Sequence, residues 1–382
     1  MPRSKYSPEW ATMPALLSGK GSMMRPIPIL AAAVTAGLGA AWTPTDVPSP
    51  ADVAAVIDHL GPVPASPDGP LTAAKAELGQ RLFEDPSLSG DGSTACMTCH
   101  LPDHGYARSA KLGPAYPSQT ERRNAPTLIN VAYNEPLIWD GRAPSLDEQA
   151  TDPIRSVLHM SSDLDHVVDR LAAVPSYLED FARAYGDEAI TPERIANAIA
   201  SFERTLVFDG SPLDLYMDGD ESALSERHKR GLALFMVKAN CIACHHGPNL
   251  TDHRFHNLGV PDDHVTGDPA VMASIRSDAR GTGYQDWATL EEDPGRAQVT
   301  QDAADLGAFR TMGLRNIKES PPYMHNGALR TLEDVVRFYD RGGGDHPNKS
   351  EQIVPLGLTD DEVADLVAFL EQALQGAQRE ID

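Results

Sequence analysis

The chain has 382 residues, a formal net charge of −23 and 41% hydrophobic residues, which is ordinary for a soluble globular protein of two or so domains. The excess of acidic residues argues against binding to nucleic acid or to anionic membrane surfaces. The negative charge is consistent with binding to a basic partner or simply with a well-solvated surface, and the composition does not distinguish these two interpretations.

The first segment, residues 1–42, has the features of a signal peptide for export. Arg25 supplies a positive charge, and residues 27–41 are apolar and end in small residues that suit cleavage. Met23 or Met24 is a candidate for the true start of the protein. The apolar run is too short and too rich in Ala and Gly for a membrane span. We therefore expect a periplasmic protein that does not span the membrane once its signal is removed.

The rest of the chain is mainly helical in pattern. Residues 43–70 are rich in proline and predict an N-terminal arm. Apolar residues at helical spacing predict helices over residues 71–83, 163–207, 224–237, 331–339 and 359–374. Residues 101–126 and 247–310 are rich in Gly and Pro and predict long loops. Because no stretch alternates between apolar and polar residues, we expect little β-structure.

Two five-residue sequences use all four cysteines of the chain. Residues 96–100 and 241–245 both read Cys-x-x-Cys-His, the pattern at which a c-type haem is covalently attached. In each, two thiols would bond the haem vinyl groups and the histidine would bind the iron. The attachment residues are then Cys96, Cys99 and His100 in the first motif and Cys241, Cys244 and His245 in the second. A disulfide pair or a zinc site is the alternative, but zinc needs no histidine directly after both pairs.

The two motifs lie about 145 residues apart, which is the length of a small domain. We therefore expect a mostly α fold in which two cytochrome c-like haem domains pack together, with long loops and little β. The domain boundaries that we predict are residues 71–207 for the N-terminal haem domain and 208–350 for the C-terminal one. Residues 351–382 are predicted to form a C-terminal helix that packs back on the N-terminal domain.

The chain resembles a known family, the bacterial di-haem cytochrome c peroxidases and their MauG relatives. The resemblance covers about residues 71–375 and runs in the family's order. The matching sequences, apart from the haem motifs, are residues 82–89, 123–127, 139–142, 314–316, 322–327 and 331–334, with Gln149 and Pro153. Singly these matches are weak, but as a set they are highly specific.

The resemblance implies a different role for each haem. His100 would hold the iron that reacts with peroxide, and His245 would hold the iron that relays electrons. In peroxidase members the relay iron has a methionine as its second ligand, whereas this chain has Tyr339, the mark of the MauG-like branch. Trp139 matches the tryptophan between the two haems. A core aromatic residue on an amphipathic helix is the alternative interpretation of Tyr339.

The resemblance also implies an open face at the iron of His100. Gln149 and Pro153 match the pocket on that face, where peroxide cleavage needs a group that takes up and returns a proton. The family's acid is a glutamate six residues after that proline, and this chain has His159 there instead. Since imidazole exchanges protons near neutral pH, His159 is the candidate acid–base group. The histidine that blocks the iron in some peroxidases has no counterpart apart from His104, which is too close to His100.

Three further matches concern metal and cofactor binding. Asn124, with the backbone carbonyls of Ser320 and Pro322, matches a calcium site between the domains, and oxygen ligands suit Ca²⁺. His325 and Arg315 match positions near the relay haem and its propionates.

From the resemblance we expect a periplasmic peroxidase-like oxidoreductase of the MauG type that uses hydrogen peroxide and two covalently attached haem c groups, with one Ca²⁺. Its partner would be a periplasmic protein that is oxidised at an aromatic residue. One alternative is a cytochrome c peroxidase that reduces peroxide with electrons from a small cytochrome c. A second alternative is a di-haem electron-transfer cytochrome.

Overall fold

The computed structural model describes residues 47–115 and 119–380, so the predicted signal peptide lies outside the described residues. In this part of the chain the α-helices are α1 Pro50–Ala54, α2 Ala73–Glu84, α3 Cys96–Cys99, α4 Leu146–Arg155, α5 Leu164–Ala172, α6 Pro175–Tyr185, α7 Pro192–Glu203, α8 Pro212–Met217, α9 Glu226–Ala233, α10 Asp263–Thr266, α11 Pro269–Gly281, α12 Ala297–Thr300, α13 Leu332–Asp340 and α14 Asp360–Ala368. None of the described helices is long and apolar enough to cross a membrane.

The sheets of the described residues are all two-stranded and antiparallel. The strands are β1 Pro114–Ala115, β2 Gln119–Thr120, β3 Phe208–Asp209, β4 Phe255–His256, β5 Phe309–Arg310 and β6 Ala377–Gln378. The sheets pair β1 with β2, β3 with β6, and β4 with β5. In the last sheet Phe255 is opposite Arg310. The expectation of a mostly α fold with little β is confirmed.

Helices α2, α4 and α7 form the core next to the first Cys-x-x-Cys-His motif. Thr72 and Thr191 begin α2 and α7, because their side chains accept hydrogen bonds from backbone N–H groups of the first turn. Gly79 allows α2 to lie directly on α7, since an added Cβ would be only 1.8 Å from the carbonyl oxygen of Ala198. Phe83 and Phe202 meet across this contact with ring centroids 5.1 Å apart.

Helices α9, α13 and α14 pack together beside the second motif. Helices α9 and α14 continue as π-helical segments, Leu234–Lys238 and Phe369–Ala373. The rings of Phe235 and Phe369 lie 5.5 Å apart in this contact. The prediction that the C-terminal helix packs on the N-terminal domain is therefore wrong for α14, whose apolar face is covered by α9. Only the tail beyond the helix reaches that domain, where the backbone N–H of Arg379 donates to the Val207 carbonyl at 2.7 Å.

Several helices, α4 and α11 among them, lie where the sequence predicts loop or no element. Helix α11 lies within residues 247–310, which were predicted to be loop. Asp268 caps it and Pro269 is its first residue, while Val271, Met272 and Ile275 are buried along one side. Helix α4 has Ser145 as its N-cap, whose side chain accepts from the backbone N–H of Glu148. The loop prediction for 247–310 is wrong over α11 because its Gly- and Pro-rich flanks obscured this periodic segment.

The arm at residues 47–70 contacts widely separated parts of the chain. The Val56 carbonyl accepts from the backbone N–H of Gly247 at 2.9 Å, just after the second motif. The Ser66 hydroxyl donates to a carboxylate oxygen of the buried Asp147 in α4 at 3.0 Å. The arm therefore holds residues close to both motifs.

Candidate active site

The first motif forms the short helix α3 with His100 directly after it. The backbone N–H of Ala95 donates to the Thr98 hydroxyl at 3.0 Å and begins this helix. The Nδ1 atom of His100 lies 2.9 Å from the carbonyl oxygen of Tyr106. This hydrogen bond assigns the proton to Nδ1, so Nε2 is the basic nitrogen that can bind a metal. Burial lowers the pKa of His100 and also favours the neutral ring.

The second motif repeats this arrangement in a different local structure. Cys241–Ala243 forms a single turn of 3-10 helix, and Nδ1 of His245 lies 3.0 Å from the carbonyl oxygen of Leu250. Burial lowers the pKa of His245 as well. Both histidines therefore present Nε2 as a ligand while a backbone carbonyl fixes the ring.

All four cysteines are free, so the motifs form no disulfide. Burial raises the pKa of Cys96 to about 12 and the pKa of Cys241 to about 12, which keeps both thiols neutral. The two cysteine pairs line separate cavities and do not converge on one four-thiolate zinc site. These findings exclude the disulfide and the shared zinc site that the sequence left open.

The larger cavity, which we call the His245 cavity, has a volume of about 620 Å³, within the usual range for cofactor pockets. It is lined by Cys241, Cys244, His245 and Tyr339, among others. Tyr339 lies in the last turn of α13, beside the buried Phe338. Burial raises the pKa of Tyr339. Its hydroxyl makes no hydrogen bond to any part of the chain that the structure describes.

The smaller cavity, which we call the His100 cavity, has a volume of about 170 Å³. Its lining includes Cys96, Cys99, His100, Gln149, Pro153 and His159. Helix α4 supplies Gln149, whose buried Oε1 atom has no hydrogen-bond partner.

His159 follows α4 and brings a second titratable group into the His100 cavity. Its Nδ1 atom lies 2.6 Å from the Ser156 hydroxyl, and its Nε2 atom lies 3.3 Å from Oε1 of Glu121. The second contact is close enough for an ion pair but lacks hydrogen-bond geometry, since Glu121 Oε1 has no such partner. Desolvation, with Arg122, lowers the pKa of His159 although 37% of its side chain is exposed, and burial raises the pKa of Glu121 to about 7.

Trp139 and Arg310 line both cavities and so lie between the two motifs. The guanidinium of Arg310 belongs to a side chain that is only 4% exposed, and its Nη1 atom has no hydrogen-bond partner. Its Nη2 atom lies 3.3 Å from the sulfur of Met312, and burial lowers the pKa of Arg310 to about 10. Because a buried guanidinium needs a counter-charge, these cavities fit a cofactor that carries carboxylates, as haem does.

A largely buried charge cluster, in which Arg142 and Asp278 are partly exposed at 18% and 16%, lies next to Trp139. It consists of Arg122, Arg123, Arg142, Asp140, Asp278 and Asp293. Asp278, from α11, lies 2.8 Å from Arg122 and 2.9 Å from Arg142. The cluster therefore connects α11 to the two segments that carry Glu121 and Trp139.

Residues of the predicted calcium site meet at the wall of the His245 cavity. Asn124, Ser320 and Pro322 all line it. The side-chain nitrogen of Asn124 donates to the carbonyls of Ala110 and Lys111 at 3.1 Å each, so the amide oxygen faces the other way. This arrangement is compatible with an oxygen-ligand site.

The remaining predicted residues separate into two groups. His325 lines the His245 cavity and stacks on Phe309 with ring centroids 3.6 Å apart. Arg315 is not among the residues that line either cavity in the described chain, because it binds elsewhere. It donates to the Asp214 carboxylate at 2.8 Å and to the Pro248 carbonyl at 2.6 Å. His104 likewise lines neither cavity.

The sequence did not single out Glu121 or Arg310. Glu121 precedes the Arg-Arg-Asn-Ala-Pro-Thr sequence and Arg310 lies in β5, and neither position is marked by periodicity or motif spacing. The two arginines directly after Glu121 were an available signal. Consecutive charged side chains that are buried rather than exposed to solvent need residues of opposite charge beside them.

Two cavities, each lined by a Cys-x-x-Cys-His motif whose histidine ring is fixed by a backbone carbonyl, define a protein with two haem sites. The chain belongs to the di-haem cytochrome c peroxidase family, whose model matches residues 73–222. It is 41% identical to cytochrome-c peroxidase IdrP1 of Denitromonas iodatirespirans, over 82% of this chain and 84% of that protein. It is 37% identical to the methylamine utilization protein MauG of Methylophilus methylotrophus, over 84% of this chain and 88% of that one.

A solved structure has the same fold. It is the crystal structure of a MauG-like protein associated with microbial copper homeostasis, with a TM-score of 0.70 and 29% identity, covering 88% of this chain and 96% of that one. The resemblance seen in the sequence is confirmed. The chain is accordingly a peroxidase-family oxidoreductase that uses two haems and acts on hydrogen peroxide.

Proposed function

We propose that this protein is a MauG-type enzyme, in which hydrogen peroxide reacts at the haem held by His100 and the oxidising equivalents are shared with the haem held by His245. The single observation that carries this proposal is Tyr339. It lines the cavity of His245, and its hydroxyl makes no hydrogen bond within the described residues. A tyrosine oxygen as second ligand stabilises ferric iron, which favours the storage of oxidising equivalents over electron uptake at high potential.

The proposal includes covalent attachment of both haems. Cys96 and Cys99 would hold one through thioether bonds, and Cys241 and Cys244 would hold the other. Residues 71–207 would form the haem domain that reacts with peroxide and residues 208–350 the relay domain, packed together as two cytochrome c-like units. The partition of cavity-lining residues supports this assignment, because the first motif and α4 face one cavity and the second motif and α13 face the other.

Peroxide reduction to two water molecules consumes two electrons and two protons. The haem at His100, when bound, supplies the iron at which the peroxide oxygen–oxygen bond is cleaved. Gln149 would orient peroxide through its side-chain amide, and Pro153 would shape the same wall of the cavity. His159 would lie in the part of this cavity where protons are exchanged with peroxide. His104 lines neither cavity, which supports an iron that is accessible at rest.

Trp139 would carry charge between the two haems, since its ring lines both cavities. His325 would contact the relay haem, and Arg310 rather than Arg315 would meet a haem carboxylate. One Ca²⁺ would bind Asn124 and the carbonyls of Ser320 and Pro322.

The substrate would be a periplasmic protein that is oxidised at an aromatic residue, with residues 1–42 acting as the export signal. A cytochrome c peroxidase that takes electrons from a small cytochrome c is the second candidate. It is favoured by the relative at 41% identity, which is a cytochrome-c peroxidase. Tyr339 separates the two candidates, because a peroxidase relay haem would take methionine there.

The test is to add hydrogen peroxide to the isolated protein with both haems oxidised and no electron donor. A MauG-type enzyme should lose its ferric absorption within the mixing time and keep the altered spectrum for minutes. No reaction until one haem is reduced would instead identify the peroxidase. A resting protein without any high-spin ferric signal would identify an electron-transfer cytochrome.

A further inference from the structure

Glu121 and His159 approach each other from distant parts of the chain. Nε2 of His159 lies 3.3 Å from Oε1 of Glu121, and both residues line the His100 cavity together with Gln149. Glu121 is 7% exposed, and its Oε1 atom has no hydrogen-bond partner. A buried carboxylate oxygen without a partner, facing a cavity, is a candidate for chemistry rather than for structure.

His159 by itself is poorly placed to hold a proton. Its Nδ1 atom is engaged by the Ser156 hydroxyl at 2.6 Å, so Nε2 is the nitrogen available for exchange, and that atom faces Glu121. Burial, Arg122, Arg142 and His100 all lower the pKa of His159, while Asp278 raises it.

The carboxyl group of Glu121, in contrast, tends to keep its proton. Burial raises the pKa of Glu121 and Asp278 adds to this, whereas Arg122 and Arg123 lower it. Asp278 lies 2.8 Å from Arg122, which reduces the positive field on the carboxyl group. The carboxyl group of Glu121 is therefore able to gain and lose a proton near neutral pH.

We infer that Glu121 supplies the carboxyl group that exchanges a proton with peroxide in the His100 cavity, and that the ring of His159 beside it positions this group. The inference rests on the proposed function. The carboxylate of Glu121 takes the proton from the peroxide oxygen nearer the iron. As the oxygen–oxygen bond breaks with two electrons from the protein, the proton passes to the far oxygen. That oxygen leaves as water with its own hydrogen and the returned proton, and the near oxygen takes up the two electrons, and two protons from solvent, to become the second water.

The test uses cyanide binding to the fully oxidised, haem-loaded protein, because hydrogen cyanide must give up a proton when the anion binds ferric iron. The association rate constant is measured by stopped-flow absorption between pH 5 and 9. For the natural sequence we expect an inflection near pH 7, where the pKa of Glu121 lies. Glu121→Gln should lower the rate constant at pH 8 by about tenfold or more and remove the inflection.

Three further variants complete the experiment. Glu179→Gln, on the exposed face of α6, makes the same chemical change and should leave both rate and inflection unaltered. His159→Gln should shift the inflection but retain it. Glu121→Asp keeps a carboxyl group and should retain the inflection at a reduced rate, which covers the case in which Glu121→Gln fails to fold.

The inference is overturned if Glu121→Gln binds cyanide with the natural rate and inflection, or if Glu121→Asp loses the inflection. It is also overturned if the inflection disappears in His159→Gln and persists in Glu121→Gln. Failure of the proposed function has a different signature. In that case the natural protein would show the expected cyanide profile but no lasting spectral change with peroxide alone.

Discussion

The indole Nε1 of Trp139 donates a hydrogen bond to the carbonyl oxygen of Asn124 at 2.8 Å. The backbone N–H of Asn124 in turn donates to the carbonyl of His325 at 2.6 Å. These two bonds fix the orientation of an aromatic ring that faces both cavities. The ring of Trp139 is therefore held at one place in the wall that the two cavities share.

Trp139→Phe keeps an aromatic ring but removes the donor, so the ring loses its fixed orientation. We expect sharing of oxidising equivalents between the haems to slow by about tenfold, equivalent to about 1.4 kcal/mol in the barrier. Stopped-flow absorption after peroxide addition measures the step. Trp287→Phe, which changes a tryptophan beside α11, is the control and should behave like the natural protein. An unchanged rate in Trp139→Phe would remove this tryptophan from the path.

Tyr339→Met and Tyr339→Phe probe the residue on which the proposed function depends. If the tyrosine oxygen is the second ligand in the His245 cavity, methionine should raise the reduction potential of that haem and shorten the life of the peroxide product. Phenylalanine should leave a vacant coordination position, with a high-spin signal at both haems. Potentiometry and electron paramagnetic resonance report these changes. Tyr284→Phe, outside both cavities, is the matched control. Identical spectra in all three variants would contradict the ligand assignment.

Much of the helical fold and both haem motifs could be predicted from the sequence, because they are local. Helix α2 follows from the spacing of Leu78 and Leu82, and α14 begins at the capping box of Thr359 and Glu362. The packing of α14 on α9 could not be predicted, since an apolar face specifies burial but not the partner. Residues of the candidate site that depend on long-range contact were missed for the same reason.

Glu121 and Arg315 are two examples of this limit. The sequence did not single out Glu121, and the structure does not place Arg315 at either cavity. Glu121 is 38 positions before His159 in the chain, and only the folded structure brings their side chains to 3.3 Å. Arg315 was placed near the haem propionates because its motif matches, but the structure pairs it with Asp214. Arg310, five positions earlier, lines both cavities instead. Motif spacing thus identified a segment next to the cavities but did not determine which of its side chains lines them.

Asp278→Asn should destabilise the protein strongly. Asp278 is the carboxylate next to both Arg122, at 2.8 Å, and Arg142, at 2.9 Å. Removing its charge leaves buried arginines under-compensated, so the free energy of unfolding should fall by about 3–5 kcal/mol. Glu333→Gln breaks the exposed pair with Arg337 and should cost less than about 1 kcal/mol. Denaturant titration measures both, and equal losses would show that the buried cluster contributes no more than a surface pair.

The same cluster predicts acid sensitivity. Although burial opposes the effect, Arg122 and Arg142 lower the pKa of Asp278 below its value in the unfolded chain. A carboxyl group whose pKa is lowered by folding contributes stability above its unfolded pKa of about 3.9, and this contribution is lost as the pH falls toward the folded value. The free energy of unfolding should therefore decline below about pH 4, and less steeply in Asp278→Asn. A decline of equal slope in both proteins would assign acid sensitivity to other carboxyl groups.

Gly231→Ala tests the contact between α9 and α14. An added Cβ at Gly231 would lie 2.3 Å from the carbonyl oxygen of Asp365 and 2.6 Å from Cβ of Phe369, so the helices must move apart. We expect a loss of about 1–3 kcal/mol in the free energy of unfolding. Gly281→Ala is the matched control in another helix, α11, where nothing lies within 4 Å of the added atom. It should be neutral or stabilising by up to about 1 kcal/mol, because alanine restricts the unfolded chain. If both variants unfold at the same denaturant concentration, α14 does not lie on α9 as closely as described.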